Sequence, residues 1–255
     1  MVAPQKIADI EYVLFDMDGL MIDSERMYTI VTNKIIGRYG KEMTWDIKAG
    51  CMGKPDLEAS KHLLSFFPDI PISIEDYIKE RNELQDKMWP TVPLLPGVSK
   101  LVKHLKKHNI PMAIATGSRR GKYKLKTGHL QEVFGLFEGK VVCGDDKQYG
   151  MRGKPFPDIF LAAAKEMLGV DVGELNAEPS EAQKAQRSKG LVLEDGLPGM
   201  QAGKRAGMNV LWVPDPNLRD VEDVKDGPET ADLVISSLES FRPEQWGLPP
   251  YDDES

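Results

Sequence analysis

The chain has 255 residues, of which 41% are hydrophobic and 29% charged, so it reads as an ordinary soluble globular protein with length for one large domain or a core plus a smaller companion. A formal net charge of -7 argues against a nucleic-acid polymer or an anionic membrane as partner, because either favours a basic face. The two cysteines, Cys51 and Cys143, are too few for a disulfide framework or a four-ligand zinc site, and there is no leader-like start or run of about 18 apolar residues, which makes the cytosol the expected address.

In chain order, residues 12–15 form an apolar run that predicts a buried strand. Residues 21–92 then carry only helical periodicity, at 25–39, 57–66 and 74–89, and are expected to form a helical module inserted after that strand, with residues 19–22 and 90–97 as hinges. This divides the chain into a core of residues 1–20 and 93–255 and a helical domain of residues 21–92. A helix is predicted over 98–107, a strand over 112–115, a strand over 141–142, a helix over 157–168, a strand over 191–193, a helix over 199–206, and strands over 210–213 and 233–235. Alternating strands and helices point to an α/β fold with a doubly wound parallel sheet. The polar stretch 171–189 is expected as a mobile surface loop, and the tail after Trp246 is expected to fray.

Four segments carry chemistry. The run Phe15-Asp16-Met17-Asp18-Gly19 ends a strand in two carboxylates two residues apart, which in extended chain share one side. Placed together at the carboxyl end of a parallel strand, where such sheets bind ligands, they call for a divalent cation. Thr116-Gly117-Ser118 ends the second strand in hydroxyls and bare backbone N–H groups that suit phosphate oxygens, and Lys154, between Gly153 and Pro155, could neutralise phosphate charge. Leu193-Glu194-Asp195-Gly196 ends another strand in two adjacent acids. Alone, each segment has a plain structural explanation; together they sit at strand ends or helix starts in an order that could line one crevice.

These four segments resemble the signature motifs of the haloacid dehalogenase superfamily. The resemblance implies a Rossmann-like core with an inserted helical cap, Mg²⁺ as cofactor and a small phosphorylated metabolite as substrate. It implies that Asp16 is the nucleophile that becomes an aspartyl phosphate and that Asp18 is the general acid and base. Thr116, Gly117, Ser118 and Lys154 would hold the transferring phosphoryl group. Asp195 and Glu194 would hold Mg²⁺ with Asp16 and the backbone carbonyl of Asp18. A narrower resemblance, carried by residues 16–26, Met52-Gly53-Lys54, Gly144-Asp145-Asp146 and Trp246-Gly247-Leu248-Pro249, is to the pseudouridine-5′-phosphatase group. Sugar-phosphate phosphatases and β-phosphoglucomutases share much of that pattern. The chain departs from it at the basic Arg119-Arg120 and in the polar insertion before Gly190.

The expected activity is a phosphomonoesterase acting on a sugar or nucleoside phosphate, with pseudouridine 5′-phosphate first, a phosphomutase as rival and a non-catalytic binding module as a rival of another class. Lys54, in a loop of the helical module, is a candidate substrate contact. Trp45 and Trp89 are read as core of that module, and Gly199, Gly203 and Gly207 as close helix packing. His62, His104, His108 and His129 are read as scattered surface or core residues without ligand spacing.

Overall fold

A computed structural model describes residues 6–51, 56–215 and 229–252. The elements follow the expected alternation. Strand β1 (Tyr12–Phe15) leads into helices α1 (Ser24–Ile36), α2 (Trp45–Ala49), α3 (Asp56–Ser65) and α4 (Ile74–Met88). Helix α5 (Val98–Lys107) returns the chain to β2 (Met112–Thr116), which is followed by α6 (Arg120–Thr127), α7 (Gln131–Phe134) and β3 (Val141–Cys143). Then come α8 (Asp158–Ala162), extended by a π-helical turn at Ala163–Met167, α9 (Glu181–Arg187), β4 (Gly190–Glu194), α10 (Leu197–Arg205), β5 (Asn209–Trp212) and β6 (Leu233–Val234).

All six strands are parallel, in the order β3-β2-β1-β4-β5-β6. β1, β2 and β4 are buried along their whole length, which is why they read as unbroken apolar runs rather than alternating ones. Alternate residues face two different cores. Val13, Phe15, Ile114, Leu191 and Leu193 pack with α5 through Val98, Leu101 and Leu105. Tyr12, Leu14, Ala113, Ala115 and Val192 pack on the opposite face with Phe160 of α8 and Met200 and Ala202 of α10. A side chain at Gly203 would run into Val192 and Val210, so α10 lies directly against the sheet.

Helices α1 to α4 bury a separate small cluster built on Val31, Ile35, Ile47, Leu63 and Tyr77. The outgoing and returning chains run side by side, with Asp23 N–H on the Pro93 carbonyl (3.0 Å) and Leu95 N–H on the Met21 carbonyl (2.9 Å). Trp89 is buried, but in the main core; Trp45 is 37% exposed, with Lys48 Nζ 4.7 Å above its ring, so Trp45 is not a core residue.

Two further expectations are corrected. Within 171–189, α9 is a regular helix, started by a reciprocal capping box between Ser180 and Gln183 and anchored by Arg187 Nε on the Val172 carbonyl (2.7 Å). Its short polar sequence carries no apolar period to reveal it. The tail after Trp246 is packed rather than frayed as far as Asp252: Leu248 is buried, and the Pro249 carbonyl accepts a hydrogen bond from His104 Nε2 (2.8 Å). No helix among the described residues is long and apolar enough to cross a membrane.

Candidate active site

The carboxyl ends of β1, β2 and β4 bring the four sequence segments together. Asp16 follows the last residue of β1, and its N–H still pairs with the Leu193 carbonyl of β4 (3.0 Å), which sets its carboxylate beside the end of that neighbouring strand. Two residues on, the chain turns at Gly19 with φ +81°, and a side chain there would occupy the Asp195 carboxylate. Glycine is required on both counts. Glu194 is buried at the end of β4, with Oε2 accepting the Gly196 N–H (3.0 Å). Asp195 is held by its own carbonyl, which accepts Trp212 Nε1–H (2.7 Å).

Lys154 reaches this cluster from the turn before α8. Its ammonium donates to Asp16 Oδ1 and to Glu194 Oε1 (2.5 Å for the latter). The turn is fixed by Asp158, which is fully buried and accepts from Arg152 N–H (2.9 Å), Nε (2.9 Å) and Nη2 (2.8 Å).

At the end of β2, Thr116 Oγ1 accepts the Ser118 N–H (3.1 Å), and Ser118 Oγ donates to Asp18 Oδ2 (2.6 Å). The loop is clamped from β3. Gly144 N–H meets the Ser118 carbonyl (3.1 Å), and a side chain at Gly144 would overlap the Gly117 carbonyl. Arg120 donates through its N–H to Asp145 (2.7 Å) and through its guanidinium to Asp146 (2.5 Å) and the Val141 carbonyl (2.8 Å). Half of the unexpected basic pair is thus a structural clamp.

One residue of this site escaped sequence reading. Lys126, only 1% exposed, donates to Asp18 Oδ1 (2.6 Å) and Ser118 Oγ (3.2 Å) and lies 4.4 Å above the Trp89 ring. In the Lys-rich α6 nothing local distinguishes it from Lys122 or Lys124. Asp16 and Asp18 are consequently served by different cations. Burial raises the Asp16 carboxyl to about 7; Lys154 opposes that rise, while Glu194 and Asp18 add to it. Burial also pushes Asp18 upward, but Lys126 and Ser118 more than offset it, and its carboxyl lies below the ordinary range. Asp195 is held well above its ordinary value by burial and by the neighbouring Glu194 and Asp16.

One oxygen from each of Asp16, Glu194 and Asp195 lies within 4.8 Å of the others. Three hard oxygen donors crowded in a buried space, two of them driven toward protonation, form a set that a divalent cation would relieve. Both Asp18 oxygens accept hydrogen bonds, one from Ser118 and one from Lys126. Lys54 lies outside the described residues.

Residues 10–207 match the model of a hydrolase family described as haloacid dehalogenase-like hydrolase. The chain is 42% identical over 248 residues to (DL)-glycerol-3-phosphatase 2 of Arabidopsis thaliana, covering 96% of this chain and 95% of that one. It is 37% identical to a probable pseudouridine-5′-phosphatase of Saccharomyces cerevisiae, covering 94% and 98%. Among solved structures, a family IA hydrolase of this type from Entamoeba histolytica superposes with a TM-score of 0.69 at 25% identity, covering 93% of this chain and 98% of that one.

Proposed function

Because the chain belongs to the haloacid dehalogenase-like hydrolase family, we propose that it is a Mg²⁺-dependent phosphomonoesterase that works through an aspartyl phosphate on Asp16. The observation that carries this reading is the Lys154 ammonium bonded to Asp16 beside Asp195, at the carboxyl ends of the central strands. Asp16 attacks phosphorus and the bond to the leaving oxygen breaks, that oxygen taking a proton from Asp18, whose carboxyl is held ionised by Lys126 and Ser118 in the free site and must be protonated before this step. Water then attacks the phosphoaspartate, Asp18 takes the water proton, and the Asp16–phosphorus bond breaks to release inorganic phosphate. Lys154, the Thr116 hydroxyl and the Gly117 N–H hold the equatorial phosphoryl oxygens, with Ser118 bracing Thr116 and Asp18.

Mg²⁺ would be held by Asp16, Asp195 and the Asp18 carbonyl, helped by Glu194, which also accepts from Lys154. When bound, the ion supplies positive charge against the phosphoryl oxygens. Residues 21–92 serve as the cap that covers the site and excludes water. Glu25 and Tyr28 of α1 already face Asp18 and Lys126.

The substrate is a monoester of a small primary alcohol with further hydroxyls. Pseudouridine 5′-phosphate is the first reading, supported by the sequence pattern and by the yeast relative. A second reading, glycerol 3-phosphate, is favoured by the higher identity to the plant relative. Phosphate release should be measured on both compounds and on hexose phosphates, with Mg²⁺ and after chelation. Conversion of a hexose phosphate into its isomer without phosphate release would replace the phosphatase reading with a mutase; no turnover on any of them would overturn it.

A further inference from the structure

A second cluster lies at the C-terminal end of α5. His104 and His108 are four residues apart on this helix, a spacing that puts both imidazoles on one face, and Asp252 joins them from the C-terminal segment. One donor atom from each of the three lies within 4.8 Å of the others. We propose that His104, His108 and Asp252 form a binding site for a late first-row divalent cation such as Zn²⁺, separate in place and in chemistry from the acidic site at the strand ends.

Three observations carry this. His104 is 6% exposed, and its Nε2–H is spent on the Pro249 carbonyl (2.8 Å), which fixes the tautomer and leaves the Nδ1 lone pair to coordinate. A ligand imidazole that donates its other N–H to a carbonyl is the usual outer-shell arrangement of a metal-binding histidine. His108 Nε2 is buried and has no hydrogen-bond partner among the described residues, although its ring centroid lies 4.5 Å from that of His104. A buried imidazole nitrogen without a partner is costly, and a cation would satisfy it. Asp252 gives one carboxylate oxygen to Lys107 (2.6 Å), and its other oxygen remains for a metal.

The donors need only a modest contraction. Two ligands at about 2.1 Å from a tetrahedral ion are about 3.4 Å apart. The Asp252 side chain, 61% exposed, can supply the movement, while the histidines are held by α5, which packs into the core. Imidazole donors favour Zn²⁺, Ni²⁺ or Cu²⁺ over Mg²⁺, so the two sites would sort their ions by ligand type. Water completes the coordination. An ion here would staple the segment from Pro249 to Asp252 onto α5, adding to the contact that Tyr251 makes with the His104 ring at 4.6 Å.

The test is calorimetric titration of Zn²⁺ into the full chain carrying Asp16→Asn and Asp195→Asn, in millimolar Mg²⁺, so that the strand-end acids do not report. One equivalent of Zn²⁺ should bind, and adding His108→Ala should weaken it by roughly tenfold or more. Zn²⁺ should also slow proteolytic removal of the C-terminal segment in the background chain and not in the His108→Ala chain. If His108→Ala fails to fold without metal, Asp252→Asn, on the exposed segment, makes the same comparison. Absence of Zn²⁺ binding at micromolar concentration, or binding indifferent to His108 and Asp252, would overturn the site.

Discussion

Gly199 of α10 lies so close to Glu194 that a methyl group built on it would overlap the glutamate's Oε1, the atom that accepts from Lys154. The helix can approach only because that position carries no side chain. Gly199→Ala should therefore push Glu194 aside and carry Lys154 off its position on Asp16. A displacement of about 1 Å at such a group costs on the order of 10²-fold in rate. Steady-state kinetics should show that loss chiefly in kcat, in a protein with unchanged secondary structure by circular dichroism.

Asp18 has both oxygens hydrogen-bonded, and the proposed mechanism asks it to move a proton in each half-reaction. Asp18→Asn should lower turnover of alkyl phosphates by about 10²–10⁴-fold, the usual contribution of general acid–base help. A 4-nitrophenyl phosphate, whose leaving group needs little protonation, should lose less. Equal losses for the two substrates would argue against the acid role.

Replacing Lys126 leaves the partly buried Asp18 carboxylate, 23% exposed, without its cation. Breaking a fully buried pair from one side costs about 3–5 kcal/mol, and the solvent that reaches Asp18 puts the cost here toward or below the lower end. Lys126→Met, which keeps the length of the stem over Trp89, should lower the unfolding free energy in urea by that order. Asp18→Asn combined with Lys126→Met should recover part of it, because the uncompensated charge is then gone.

The raised Asp16 carboxyl sets a pH dependence for the metal-free chain. Unfolded, it ionises near 3.8; folded, at about 7, because burial disfavours the charge. Between those values the unfolded chain binds fewer protons than the folded one, so this group makes stability fall as pH rises through that window and adds no slope above it. Asp16→Asn should raise Tm relative to the parent most above pH 7 and least near pH 4, in chelator. Mg²⁺ should oppose the same penalty in the parent, raising Tm more at pH 8 than at pH 5, where protons compete for its ligands. Thermal melts across pH with and without the ion check both signs.

Much of the core was legible because its signals are local. A parallel strand buried on both faces must be an apolar run, and β1 begins and ends where that run does, at Tyr12 and Phe15. Asp16, Asp18, Lys154, Glu194 and Asp195 stood out because each breaks such a run or opens a helix, and the fold gathers them at the carboxyl ends of the central strands. Lys126 was invisible, since its partner is 108 residues away and its helix is rich in similar lysines. The meeting of His104 and His108 with Asp252 was not legible either, because Asp252 lies 144 residues beyond His108. Helix α9 was hidden for the opposite reason: it is stabilised by Ser180 and Gln183 at its own end rather than by an apolar face.

The place of β1 between β2 and β4 has a kinetic consequence. Asp16, Thr116 and Asp195 are distant in the chain and meet only once both neighbours of the central strand have docked, one of them after a crossover of more than a hundred residues. Pairings of such long range form slowly, because loop closure must precede the contacts that reward it. During refolding from urea, helical signal should return in an early phase, while phosphatase activity should lag behind it and rise with the last sheet-forming phase. Catalytic turnover is then a stopwatch for completion of the sheet, and a truncated or stalled chain that still looks helical should be silent in the assay.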